Sequence, residues 1–333
     1  ALFSSIFDKE NDREVLKAGE KGNLLRMYED KPIYYDNWDI DIFHTEKYWD
    51  ALSVEKMEWL EIGEVRATLL VERKISNSLI RQKIHFYADK RRIDFETYVD
   101  WKENQHLLKV HFPVDIHSDE ATFEIQFGNA VRKVHTNTSW DEARFESCAQ
   151  KWMDFSEGHY GVALLNDCKY GHSVRNGVLG LTLIKSGIEP NPTTDQEEHF
   201  FTYALYPHSE NWRYSDVSDE AYNLNQPLRA WNKAMEEDVY SYAGVDKKNV
   251  VIETIKKAED GNAVVLRLYE RDNAKTSVKL SVDTEFSKAF ICNLLEEEET
   301  ELKPEETVNA YGKKVKTVSL NLRAFEVCTV KFV

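Results

Sequence analysis

Apolar positions in this chain recur mainly at a period of two. In residues 92–101, Ile93, Phe95, Val99 and Trp101 fall on one side and Asp94, Glu96, Tyr98 and Asp100 on the other, as in a half-buried strand. IRQKIHFYA (80–88) precedes it across the polar turn DKRR. HLLKVHFPV (106–114) follows KENQ, with Leu108, Val110 and Phe112 opposed to Lys109 and His111. Three strands with short polar turns predict an antiparallel meander. ATFEIQFG (121–128) adds a fourth strand, and GVLGLTLIKS (177–186) and HFFTYALYPH (199–208) continue the pattern.

The N-terminal part is less regular. DKENDREVL and HTEKYWDALSVEKMEWLEIG predict short helical turns; ISNSLI and IEPNPTTDQEE predict loops, the second through Pro190 and Pro192. Pro227 and the polar YAGVDKKN place a boundary within 222–245. This gives a large β-sandwich over 1–228 and a smaller one over 229–333. In the second part, Asp260-Gly261 between Val/Ile-rich runs signals a hairpin, and EVCTVKFV alternates to the last residue. EEEETELKPEE (296–306), with seven glutamates, reads as a solvated hairpin loop, with an acidic docking patch as the alternative. The fold expected is mainly β: a large antiparallel sandwich, then a small one. Phe3, Ile6 and Phe7 already read as packed structure, so the chain is expected to open inside a domain and to be the C-terminal part of something longer.

With 333 residues, 42% of them apolar, the chain can fill about two cores. A net charge of −16 argues against nucleic acid and against an anionic membrane surface as partners. No apolar stretch reaches the roughly 18 residues needed to span a bilayer. Cys148, Cys168, Cys292 and Cys328 include no C-x-x-C pair. That spacing predicts reduced thiols and a cytoplasmic setting rather than a zinc cluster.

No G-x-S-x-G, P-loop, H-E-x-x-H or G-x-G-x-x-G motif is present. His106 and His111, five apart on a strand, face opposite sides of the sheet and make a poor metal pair. Trp38, Trp101, Trp140 and Trp152 read as core packing or as indoles for stacking on a sugar ring. The chemically dense stretch is GVALLNDCKYG (161–171): an apolar strand, Val162 to Leu165, ends in Asn166, Asp167, Cys168, Lys169, Tyr170 and Gly171. Such an end is a polar turn, braced by a weak surface Asp–Lys pair, or the rim of a binding site. On an extended chain Asp167 and Lys169 point the same way, Tyr170 offers a ring and a hydroxyl, and Gly171 permits close backbone approach.

VDWKENQHLLKV…NDCKYGHSV (99–174) resembles the C-terminal β region of α-mannosidases of glycoside hydrolase family 38, closest to the bacterial and cytosolic branch. SIFDKENDREVLKAGEKGNLLRMYEDKPIYYDNWDID resembles the segment leading into that region. IKKAEDGNAVVLRLYE, NLLE and LRAFEVCTVKF resemble its last domain. The likeness covers nearly the whole chain. It implies a galactose-mutarotase-like supersandwich as the large domain. It implies a retaining exo-α-mannosidase acting on α-mannosides and oligosaccharides, whose zinc, aspartate nucleophile and acid/base belong to an upstream half. This chain would hold no catalytic residue and no metal. Its partner would be its own N-terminal catalytic domain, with self-association as in relatives, and the chain alone would be inactive.

In the family, the NDCKYG strand end lies where the sandwich meets the catalytic domain, so the resemblance makes Asp167, Lys169, Tyr170 and Gly171 cleft or interface candidates. QKWMDFSE (150–157) matches a second family segment and adds Trp152 and Asp154, with core tryptophan and turn acid as the structural alternatives. Where the family often shows Arg-Pro-Thr-His, this chain has Arg132, Lys133, Val134 and His135. His135 stays a candidate, without the proline-fixed turn. Two other readings stand: a free-standing carbohydrate-binding sandwich, and a mutarotase-like epimerase needing a His/Glu acid–base pair in one cleft.

Overall fold

In a computed structural model, residues 2–232, 239–309 and 311–333 are described. The chain forms two compact units, residues 1–125 with 130–228, and residues 126–129 with 229–333. Residues 233–238, inside the stretch read as a boundary, lie outside the described residues.

The large unit is the expected antiparallel supersandwich. Its nine-stranded sheet runs in the order Gly128–Lys133, Glu120–Ile125, Trp152–Glu157, Tyr160–Asn166, Glu198–Ser209, Ile93–Asp100, Ser78–Tyr87, Arg66–Ile75, Val54–Ile62. The six-stranded sheet runs Ser147–Cys148, Gly171–Arg175, Val178–Ser186, His106–Pro113, Leu24–Glu29, Tyr48–Asp50. The alternating apolar faces meet between the sheets, where Phe95, Val99 and Tyr203 of one pack on Leu108, Val110 and Phe112 of the other. Phe95 stacks on Tyr203 at 4.9 Å and tilts against Phe112 at 5.6 Å. Such rings, fully buried, are worth about 3–5 kcal/mol each against alanine.

The predicted meander holds for its first pair only. Ser78–Tyr87 pairs with Ile93–Asp100, but His106–Pro113 crosses to the other sheet and pairs with Leu24–Glu29 and Val178–Ser186. Alternation specifies which face of a strand is buried and not which sheet the strand joins.

The expected helical turns near the N-terminus are mostly strands. DKENDREVL makes most of a small hairpin, Phe7–Asp8 with Arg13–Glu14, and the later stretch is helical only in its first three residues, at the end of the 3₁₀ turn Ile42–Glu46. Val54–Ile62 is the exposed edge strand of the large sheet. The helix Val217–Asn225 carries Asp219 and Glu220 in its first turn, as the dipole favours. It covers the outer face of the large sheet over Trp152, Ala163 and Leu165, with Trp212 of the 3₁₀ turn Trp212–Tyr214 in the same cluster.

The small unit packs a four-stranded sheet on a five-stranded one around Leu266, Leu268, Leu280, Val318 and Val330. Asp260-Gly261 does turn a hairpin, with Gly261 at φ +71° joining Val250–Lys257 to Val264–Glu270. The acidic run is mostly strand rather than a hairpin loop. Glu298–Leu302 is an edge strand of one sheet and Glu305–Val308 an edge strand of the other. Charged edges of this kind resist further strand pairing. Glu296 is buried and bonded by Lys256 at 2.8 Å.

Candidate functional site

The end of Tyr160–Asn166 is organised by Asn166, which is fully buried. Its Nδ2 donates to the Gln150 carbonyl at 2.7 Å, and its Oδ1 accepts the Lys169 amide at 2.6 Å. The Asn225 side chain donates to its carbonyl at 2.9 Å. Four residues of irregular chain follow, so Asp167 and Lys169 do not share one strand face. The Asp167 carboxylate accepts the Thr202 amide at 2.9 Å, while the Lys169 ammonium sits 4.7 Å from the centre of the Phe201 ring. The Asp–Lys pair of the turn reading is replaced by these two separate contacts. Burial, with Asp167 alongside, pushes the Cys168 thiol up to about 12, so it is no nucleophile at neutral pH.

Asp167 lines a groove of about 570 Å3 along the large sheet with Tyr98, Glu198, Phe200, Phe201 and Thr202. Tyr98 donates to Glu198 at 2.8 Å and its ring lies 5.1 Å from the Phe200 ring. Exposed rings beside hydrogen-bonding carboxylates suit the C–H faces and hydroxyls of a sugar. The exposed Tyr170 contributes its carbonyl to the Ala149 amide at 3.0 Å.

The other candidates lie elsewhere. Trp152 is buried against Trp212 at 5.0 Å, in the core beneath the helix. Asp154 is not a turn acid. It is 1% exposed in mid-strand and accepts from His208 Nε2 at 2.7 Å and from the Ser156 hydroxyl. A serine, an aspartate and a histidine thus converge, but both the hydroxyl and the imidazole bond the carboxylate rather than each other, which is not the serine–histidine–acid order of a triad. His135 Nδ1 stands 3.6 Å from Asp141, whose capping box with Thr138 opens the short helix Ser139–Ala143. Asp167 and Lys169 share one strand end; Trp152 pairs with Leu165 beside it but is buried in the cluster beneath the helix, and Asp154 and His135 are not drawn to it.

Gly171 marks a second, unforeseen site. A Cβ there would collide with Glu146 Oε1. Glu146 is bound by Lys109 Nζ at 2.5 Å and by Thr182 at 2.8 Å. Burial pushes the Glu146 carboxyl up, and Lys109 more than reverses this, holding it below the usual carboxylate range.

Lys109 and His111 point away from the sandwich core, but they are not solvated as their alternation predicted. They help line a bowl of about 410 Å3 on the outer face of the six-stranded sheet, with Arg26, Tyr28, His44 and Ser173. Tyr28 is hydrogen-bonded to His111 Nε2 at 2.9 Å. Burial, reinforced by Lys109 and Arg26, pushes His111 down to about 3. Outward polar residues on two strands were the sequence signal for the bowl. Its walls come from residues more than a hundred positions apart, which no local pattern connects.

Among the described residues, Asp195, Glu197 and His199 alone bring three metal-ligating atoms within 4.8 Å of one another. Both acids are exposed, and His199 Nε2 is bonded to the Asp195 carbonyl at 2.8 Å. This arrangement lacks the buried, oriented donor set of a zinc centre.

Residues 1–193 match the glycosyl hydrolases family 38 C-terminal domain, and residues 249–330 match that family's C-terminal beta sandwich domain. The chain belongs to glycoside hydrolase family 38. It is 36% identical to alpha-mannosidase G of Dictyostelium discoideum over 99% of this chain and 31% of that protein. It is 39% identical to alpha-mannosidase 2C1 of Homo sapiens over 85% of this chain and 28% of that protein. The family 38 chain therefore spans about a third of the length of these relatives. An alpha-mannosidase from Enterococcus faecalis superposes on 99% of it with a TM-score of 0.78 at 16% identity, covering 40% of that structure. At that identity the superposition speaks for the fold.

Proposed function

We propose that this chain is the non-catalytic C-terminal portion of a zinc-dependent, retaining exo-α-mannosidase that removes terminal α-mannose from mannosides and oligosaccharides. The carrying observation is the family 38 match at both ends of the chain, with alpha-mannosidase relatives about three times its length. The catalytic carboxylates and the zinc belong, in this reading, to an upstream half. The buried Asp154 and the largely covered Glu146 support it, each being tied to a cation or imidazole within the sandwich. Neither has a second carboxylate recorded beside it, as two-carboxylate glycosidase chemistry needs.

The chain's own part is scaffold and cleft wall. The 167–171 strand end and its groove meet substrate or brace the catalytic half. Val54–Ile62, exposed along all nine residues with Met57, Trp59 and Leu60 outward, suits burial against that half or in a homo-oligomer. The four cysteines are free, and no described helix is long and apolar enough to cross a membrane. The thiols support a cytoplasmic setting.

The test is metal content. After dialysis against micromolar zinc, the 333-residue chain is expected to retain none at stoichiometric level, whereas the full-length protein retains one per chain. A tightly bound zinc in the short chain would overturn this division of labour.

A further inference from the structure

The bowl on the six-stranded sheet has no role in that reading, yet it is built as a site. Its floor comes from the adjacent strands Leu24–Glu29, His106–Pro113 and Val178–Ser186, so its side chains are held by a rigid sheet rather than by loops. Tyr28, His44 and Lys109 are each less than 7% exposed. Its volume, about 410 Å3, falls among small-molecule sites. Gly180 keeps space open in the floor: a Cβ there would stand 2.5 Å from Ser173 Oγ and 3.4 Å from His111 Nδ1.

The two cations that rise from the strand floor are paired. Lys109 is neutralised by Glu146, and Arg26 by Asp50 in a two-pronged pair at 2.5 and 3.0 Å. Of the remaining lining cations, Lys21 is exposed and the Arg175 guanidinium donates to the Glu142 carbonyl at 2.9 Å. Both imidazoles are held neutral: burial lowers His44 as it lowers His111. An anion would therefore find Lys109 and Arg26 already paired on the floor, and desolvating it there would be costly.

A neutral polyol fits better, because donors and acceptors both stand open. His44 Nδ1 donates to the Asp41 carbonyl at 2.8 Å, so Nε2 remains an acceptor. The Lys109 ammonium has protons beyond the one given to Glu146, and Ser173 lines the bowl with no partner recorded for its hydroxyl. The rings of Tyr28, His44 and Phe145 cluster, with centroids 5.1 and 5.8 Å apart from His44, and Leu24 and Val178 add an apolar wall. We propose that this bowl binds a neutral saccharide, one or two pyranose units, with hydroxyls on His44 Nε2, Ser173 and Lys109 and C–H faces against the aromatic cluster.

Binding is the role, not anomerisation. An imidazole with a pKa of about 3 is protonated in about one molecule in ten thousand at pH 7. Glu146 is locked to Lys109. No pair is therefore poised for the proton transfers of an epimerase.

The experiment is saturation-transfer NMR with isothermal titration on the 333-residue chain, using methyl α-mannoside, methyl β-glucoside, maltose and inorganic phosphate. Thr45→Trp fills the mouth from an exposed rim position, and His44→Ala removes the acceptor. At least one sugar is expected to bind in the millimolar range and to lose at least tenfold in affinity in Thr45→Trp, with no displacement by phosphate. His44→Ala should weaken it likewise where its near-ultraviolet circular dichroism is native. No sugar binding, binding untouched by Thr45→Trp, or displacement by phosphate would overturn the proposal. The readout is binding without hydrolysis, so its failure leaves the mannosidase reading standing.

Discussion

The Lys109–Glu146 pair lets the buried electrostatics of the large unit be measured. The Lys109 side chain is 4% exposed and that of Glu146 13%, with 2.5 Å between the charges. Glu146→Ala leaves an ammonium with no counter-ion on a side chain that is almost wholly covered. Breaking such a pair from one side costs about 3–5 kcal/mol, whereas replacing both partners by apolar residues is often close to neutral. At roughly 2–4 °C per kcal/mol for a unit of this size, the single substitution lowers Tm by about 10 °C. Lys109→Met with Glu146→Leu should recover to within about 1 kcal/mol of the parent. The assay is urea unfolding followed by tryptophan fluorescence. Seven of the eight tryptophans lie in the large unit and the eighth, Trp231, is exposed, so the signal follows that unit. A loss below about 1 kcal/mol in Glu146→Ala, or additive losses in the double variant, would refute the claim that the pair is desolvated and mutually dependent.

Three further outcomes follow from the same geometry. Gly171→Ala drives a methyl into Glu146 Oε1 and should cost about 1–3 kcal/mol in urea unfolding; an unchanged midpoint would contradict the close approach. His111 and His172 are lowered by burial to about 3 and about 4, beside Lys109, Arg26 and His44 for the first and Glu146 and Lys109 for the second. The unfolded chain therefore binds more protons below about pH 6.5, and stability should fall as pH drops from 6.5 towards 4.5. Each histidine contributes a slope of about 1.4 kcal/mol per pH unit in the middle of that window. Equal unfolding midpoints at pH 7 and pH 5 would rule this out. In the full-length protein, Asp167→Ala should lower kcat/KM on an aryl α-mannoside about tenfold, the worth of one hydroxyl contact, with Tm moved by about 2 °C or less. Unchanged kinetics would remove Asp167 from the cleft.

Period-two alternation located strands of the large sandwich between residues 80 and 208 and the last strand of the small one, because each has one face on a core and one outward. It failed where outward did not mean solvated. Asp94 on Ile93–Asp100 is buried in an ion pair with Arg92, and Arg92 also binds Glu220 of the covering helix. Lys109 and His111 lie in the bowl for a similar reason: residues 42–45 and Phe145 come back over them. The strand end at 166–171 was conspicuous for its charged residues. Its organiser is the uncharged Asn166, whose partners Gln150 and Asn225 are set by tertiary packing. The family resemblance was legible because it was spread over the whole chain rather than confined to one motif.

The most direct test of the account is hydrolysis of an aryl α-mannoside in the presence of zinc, by the 333-residue chain and by the full-length protein side by side. Turnover is expected from the full-length protein and none from the short chain. Turnover by the short chain, or an inert full-length protein, would contradict it.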